Sequence, residues 1–131
     1  MNIKDFAEKF TKAEDEAFNK GNVSALEVLY DSKVVYHHFG SSDLVGWQLV
    51  KQATIGLRMA FSNYWQEWKY LTGEGNLFAL SFKSSGIFTG ELPGYPPPSG
   101  KEVKVDALRL FRMKNSKIVE VWANGTVTGL S

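Results

Sequence analysis

The chain has 131 residues, with 15 Lys plus Arg against 14 Asp plus Glu and no Cys. This length fits one domain with a single core, which we assign to residues 1–131. The balanced charge and the lack of a basic cluster argue against a nucleic-acid partner, and the absence of Cys excludes disulfides and thiolate metal sites. The N-terminus is charged from Lys4 onward. We therefore expect no signal peptide, no membrane span and a cytoplasmic location.

Helical spacing dominates the first half of the chain, and strand patterning dominates the second. The first half predicts a helix over 3–18 that stops at Lys20-Gly21, and a short second helix that ends near Asp31. A strand over Val34–Phe39 follows. A third helix then carries the apolar stripe Trp47 to Phe61, after capping oxygens in Ser41–Asp43. The second half predicts antiparallel strands over Tyr64–Leu71, Leu77–Thr89, Lys101–Met113 and Lys117–Val127, with a stiff Pro-rich rim loop over Gly90–Gly100. This order is typical of an α+β fold.

Five short motifs follow one another along the strand half, and their order and spacing are informative. They are the run Gly86–Glu91, then Gly94–Pro97 with Ser99–Lys101, then Leu110–Arg112, then Lys117–Glu120 followed by Trp122. Together with a looser match in the helical half, they resemble the SnoaL-like polyketide cyclases, a branch of the nuclear transport factor 2-like superfamily.

The resemblance implies a cone-shaped, curved antiparallel sheet wrapped around three N-terminal helices, with an interior cavity and commonly a homodimer formed through the outer sheet face. It also implies an acidic residue a few positions after Trp122, where this chain has Ala123-Asn124-Gly125-Thr126. The catalytic positions of ketosteroid isomerase, another relative, fall near Glu14, His38 and Arg109, and none of its residue types is retained.

Glu14 lies four residues from both Phe10 and Phe18, which places it near the apolar face of the first helix. Burial there would raise the pKa of its carboxyl group and suit it to general acid or base catalysis. The alternative is that Glu14 sits at the edge of the apolar stripe and reaches water.

His37 and His38 point to opposite faces of the predicted strand, and Tyr36 shares a face with His38. The resemblance favours His38 at the cavity, where a neutral imidazole can take up a proton. Two adjacent His side chains diverge and lack metal-ligand spacing, so we expect no metal and no cofactor. The alternative is one His hydrogen-bonded in the core and the other in water.

Arg109 shares a strand face with Phe111 and other apolar residues. A buried guanidinium requires a carboxylate partner or an anionic ligand. Glu14 or Glu120 is the candidate partner, and a ligand carboxylate or enolate oxygen is the alternative.

Alternation in the last strand puts Ile118, Glu120, Trp122 and Asn124 on one face and Val119, Val121 and Ala123 on the other. We assign Trp122 to the inner face as a wall for a ring system and Asn124 as an orienting hydrogen-bond group, with core packing as the alternative for Trp122. Because both faces are largely apolar, we expect a second protomer to cover the outer one.

The predicted catalytic residues are therefore His38, Glu14 and Arg109, and the predicted ligand-binding residues are Tyr36, Trp122, Asn124, Glu120 and Phe111. One hypothesis is cofactor-independent proton transfer of the cyclase, isomerase or lyase type on a small polyketide-like substrate, which should require a cavity of at least ~300 Å³. The second is non-catalytic binding of a small apolar or aromatic ligand. The third is a dimeric interaction domain with a collapsed pocket.

Overall fold

A computed structural model describes residues 2–38 and 41–130. The helices are α1 (Ile3–Lys20), α2 (Ser24–Glu27) and α3 (Trp47–Ala60). The strands are β1 (Tyr30–His38), β2 (Leu44–Val45), β3 (Phe61–Glu74), β4 (Leu77–Phe88), β5 (Glu102–Lys114) and β6 (Lys117–Thr128). The predicted α+β class and the four long strands of the second half are confirmed.

All six strands form one curved sheet in the order β2-β1-β6-β5-β4-β3. β3 to β6 pair antiparallel through short connections or the rim loop, as predicted. β1 instead runs parallel to β6, with Tyr36 opposite Val121, so the expectation of a wholly antiparallel sheet is wrong. No hairpin joins β1 to β6, and a pair joined by a long crossover is free to run parallel.

Local capping fixes the position of α1. The Asn2 side chain accepts a hydrogen bond from the Asp5 amide at 2.8 Å, which satisfies one of the free N–H groups of the first turn. At the other end Gly21 adopts a left-handed φ of 74° and its amide bonds the Glu16 carbonyl, a conformation that glycine adopts without strain. These caps set the two ends of α1, and its buried residues, such as Phe6 and Phe10, pack in the core against the inner side of the sheet.

Backbone pairing sets several boundaries that helical periodicity misplaced. The Ile118 amide donates to the Leu29 carbonyl at 2.8 Å and Tyr30 already belongs to β1, so α2 ends earlier than predicted. Phe61 pairs with Phe88 in the β3–β4 ladder, so α3 ends at residue 60 and does not include Phe61. In both places the ladder supplies the hydrogen bonds that another helical turn would have made.

The segment before α3 also differs from prediction. β2 is an unpredicted two-residue strand that pairs with β1, and Gly46 occupies the N-cap position of α3 without a side-chain cap bond. The expected cap from Ser41–Asp43 is therefore wrong. The predicted strand end at Phe39 lies outside the described residues.

An aromatic core lies between α1 and the inner sheet face. The Phe10 ring lies 4.8 Å from the Phe111 ring, which stacks on Phe78 at 4.6 Å. All three side chains are essentially inaccessible to solvent. No helix within the described residues is both long enough and apolar enough to cross a lipid bilayer.

Candidate functional site

An internal cavity of about 200 Å³ lies between α1, α3 and the inner face of the sheet. Its walls are mainly apolar, and Leu92 and Tyr95 from the Pro-rich loop line it as the rim element predicted from the sequence. Nine polar side chains line it: Glu14, Tyr30, Tyr36, His38, Thr54, Tyr64, Ser84, Tyr95 and Arg109. The volume is below the ~300 Å³ expected for a typical small-molecule site, so the space suits a compact ligand.

Glu14 is the one carboxylate that lines the cavity among the described residues. Its side chain is 6% exposed, and no hydrogen bond or ion pair within the described part of the chain involves it. Burial raises the pKa of Glu14 from 4.5 to about 7, although the positive charge of Arg109 opposes this shift. At neutral pH both protonation states are populated, which is the condition that proton transfer requires.

Arg109 reaches the cavity from the inner face of β5 and has no carboxylate at ion-pair distance in the described residues. Its Nε atom is buried without a hydrogen-bond partner. The guanidinium carbon lies 4.6 Å from the Phe82 ring centroid and 5.0 Å from that of Trp68, so aromatic faces hold the cation. Such contacts stabilise a cation by less than a buried counter-ion does, and a positive charge remains available in the cavity.

His38 lines the cavity and His37 does not. The His38 ring packs 4.7 Å from the Tyr36 ring. Burial lowers the pKa of His38, and the positive charge of Arg109 lowers it further. The imidazole is therefore neutral at physiological pH and can accept a proton or a hydrogen bond.

Buried tyrosines complete the polar part of the wall, and two of them were missed from the sequence. Tyr30 and Tyr64 line the cavity beside the predicted Tyr36, and burial raises the pKa of all three hydroxyls. The Tyr64 hydroxyl donates to Gln66 Oε1 at 2.8 Å. Tyr64, Gln66 and Trp68 alternate along β3 on its less exposed side, so strand alternation was the signal that would have identified Tyr64.

Three predicted ligand-binding residues lie on the outer sheet face, which corrects their assignment to the cavity. Glu120, Trp122 and Asn124 are absent from the cavity wall, and Trp122 and Asn124 are exposed. The cause is a β-bulge, since Arg112 pairs with Glu120 while the next residue of β5 pairs with Ile118. Val119 is the extra residue, and it inverts the alternation, so Ile118 points inward together with Val121 and Ala123.

Phe111 lies on the inner face as predicted but belongs to the aromatic core and does not contact the cavity. Glu120 instead takes part in an ionic network outside. Its carboxylate lies 2.7 Å from Arg112 Nη2 and 2.6 Å from His37 Nε2, and His37 Nδ1 lies 3.0 Å from Asp43. Glu120 is therefore not the partner of Arg109.

Residues 8–128 match the family model described as SnoaL-like polyketide cyclase. The chain belongs to this family. A search of curated proteins gives no significant sequence match.

Solved structures of similar fold agree with this membership. TsrD from Streptomyces laurentii superposes with a TM-score of 0.79 at 17% identity, over 95% of this chain and 91% of that one. AclR from Streptomyces galilaeus superposes with a TM-score of 0.75 at 20% identity, over 95% of this chain and 77% of that one. IdmH from Streptomyces antibioticus superposes with a TM-score of 0.69 at 23% identity, over 95% of this chain and 92% of that one. At these identities the likeness shows the fold alone.

One departure from the SnoaL-like pattern affects the chemistry of the cavity. The acidic residue expected a few positions after Trp122 is missing, and residues 123–126 contribute nothing to the cavity wall. Any carboxylate chemistry in this cavity therefore depends on Glu14, which reaches it from α1 on the opposite side of the core.

Proposed function

We propose that this SnoaL-like protein binds a small, largely apolar molecule with a carbonyl or enol oxygen in the internal cavity and moves a proton on it without a cofactor. The observation that carries the proposal is that Glu14, His38 and Arg109 line one cavity without neutralising one another. Paired groups would indicate a structural ion pair, whereas unpaired groups of opposite charge are available to a ligand.

Each side chain has a distinct role in the proposed step. The Glu14 carboxylate takes a proton from the carbon next to the ligand carbonyl, and Arg109 stabilises the enolate oxygen that forms. The proton then returns to another carbon in an isomerisation, or to the alkoxide formed when the enolate carbon attacks a second carbonyl in a cyclisation. His38 serves as a neutral hydrogen-bonding group or as a second proton acceptor.

Deuterium incorporation next to the carbonyl of single-ring ketones, followed by proton NMR in D₂O, tests this function. We expect exchange above the buffer rate, with a loss of about 10²-fold or more in Glu14→Gln. Glu8→Gln is the matched control, because Glu8 is an exposed acid on the same helix. Exchange at the buffer rate for every ketone that binds would overturn the catalytic role and leave a binding module.

We also propose that two copies associate through the outer sheet face. Leu108, Leu110 and Trp122 are adjacent there and are 59%, 39% and 37% exposed, which is unusual for a lone monomer surface. Leu108→Lys should give a monomer by light scattering if this face is the interface. A monomeric native protein at all concentrations would overturn the proposal.

A further inference from the structure

The cavity holds a positive charge with no counter-ion among the described residues. Glu14 and Glu120 are the two candidate partners that the sequence suggests for Arg109. Glu120 is held outside by Arg112 and His37, and Glu14 does not reach ion-pair distance. A buried cation is costly to leave uncompensated, and here the rings of Phe82 and Trp68 lie against it in place of a carboxylate.

We propose that Arg109 seats an anionic oxygen on a body about the size of one ring, namely the enolate that the proposed step forms or a carboxylate that resembles it, and that an anion in this position favours the protonated form of Glu14. This inference rests on the proposed function in using the same cavity. It adds the charge and size class of the ligand and a coupling between ligand binding and protonation.

Cavity size sets the limit on the ligand body. The cavity volume of about 200 Å³ is bounded by aromatic and branched side chains such as Phe82 and Val50. Close-packed interiors do not expand freely, so fused multi-ring ligands require displacement of these walls. A compact ligand fits with its apolar ring against the walls and its oxygen against the guanidinium.

Electrostatics provides the coupling. Arg109 now favours the charged form of Glu14 and so holds its pKa below the value that burial alone would give. An anion seated at Arg109 offsets this attraction, so the pKa of Glu14 rises on binding and a proton is taken up. The other titratable groups around Glu14 are Asp15, Tyr30, Tyr36, Tyr64 and His38, and the three buried tyrosines stay protonated at neutral pH.

Calorimetric titration with benzoate and with benzamide, its neutral isostere, tests the charge class. We expect benzoate to bind at least 10-fold more tightly than benzamide, and Arg109→Met to abolish this preference. Arg112→Met is the matched control, because Arg112 lies on the same strand and contacts only the outer network. Equal binding of the two probes, no benzoate binding, or a preference that survives Arg109→Met would overturn the proposal.

Two further measurements address size and coupling. Anthracene-9-carboxylate should bind at least 10-fold more weakly than benzoate, and equal affinity would overturn the size limit. Benzoate titration slightly above neutral pH in phosphate and in Tris should show uptake of a fraction of a proton, which is lost in Glu14→Gln and kept in Glu8→Gln. Zero uptake by the native protein would overturn the coupling.

The two proposals fail separately. A benzoate preference without ketone exchange supports the anion site and removes the catalytic role. Ketone exchange without benzoate binding does the reverse.

Discussion

The free energy of unfolding of Glu14→Gln, relative to that of the native protein, should increase as the pH rises. Burial raises the pKa of Glu14 from 4.5 to about 7, so the folded state holds this proton more tightly than the unfolded state does. The stability that this proton contributes is fully present below about pH 4.5 and is lost as the pH rises through 7. The pKa difference corresponds to about 3 kcal/mol, and an uncharged Gln carries no such loss.

Urea unfolding of both proteins from about pH 4.5 to about pH 8 measures this difference. The stability of Glu14→Gln relative to the native protein should increase by about 3 kcal/mol over this range and then level off. Glu8→Gln should show a flat difference, because that side chain is exposed on α1. A flat difference for Glu14→Gln as well would refute the raised pKa and with it the acid–base role.

Three further predictions concern the outer ionic network, the aromatic core and the β5–β6 ladder. Glu120 raises the pKa of His37, so this pairing stabilises the fold below about pH 6.5 and is lost as the pH rises through the raised pKa. His37→Gln should therefore lower the free energy of unfolding in urea by about 0.5–1 kcal/mol near pH 5.5 and by less near pH 9. An equal cost at both pH values would contradict the pairing. Phe111→Ala should cost about 3–5 kcal/mol in the same assay, because the ring is fully buried, and a cost under about 1 kcal/mol would contradict the aromatic core. A Cβ at Gly125 would overlap the Asp106 carbonyl across the β5–β6 ladder, so Gly125→Ala should lower stability by about 1–3 kcal/mol, and an unchanged denaturation midpoint would contradict this close approach.

Local pattern was sufficient to predict much of the fold. The four long strands, the helix at the N-terminus and the Pro-rich rim follow from turn residues and periodicity, which act over short stretches of sequence. The inner position of Arg109 follows from simple alternation along β5, which has no bulge before Arg112. The family resemblance supplied the cavity that alternation alone does not predict.

Long-range pairing explains what the sequence did not predict. The bulge in β6 depends on how β6 aligns with β5, so Trp122 and Asn124 were assigned to the wrong face. The end of α2 depends on the Ile118 amide, which donates to Leu29, and the end of α3 depends on the Thr89 and Gly90 amides, which donate to Ala60; these partners are distant in sequence. That no described carboxylate pairs with Arg109 likewise follows only from the outer position of Glu120, which depends on the same pairing.

The most direct test of the account is a ¹³C NMR pH titration of the Glu side-chain carboxyls, recorded with and without benzoate. We expect one carboxyl, absent from the Glu14→Gln spectrum, to titrate at about pH 7 in the free protein and at a higher pH when benzoate is bound. If every Glu carboxyl titrates near the ordinary value of about 4.3, or if benzoate leaves the Glu14 titration unchanged, the account is contradicted.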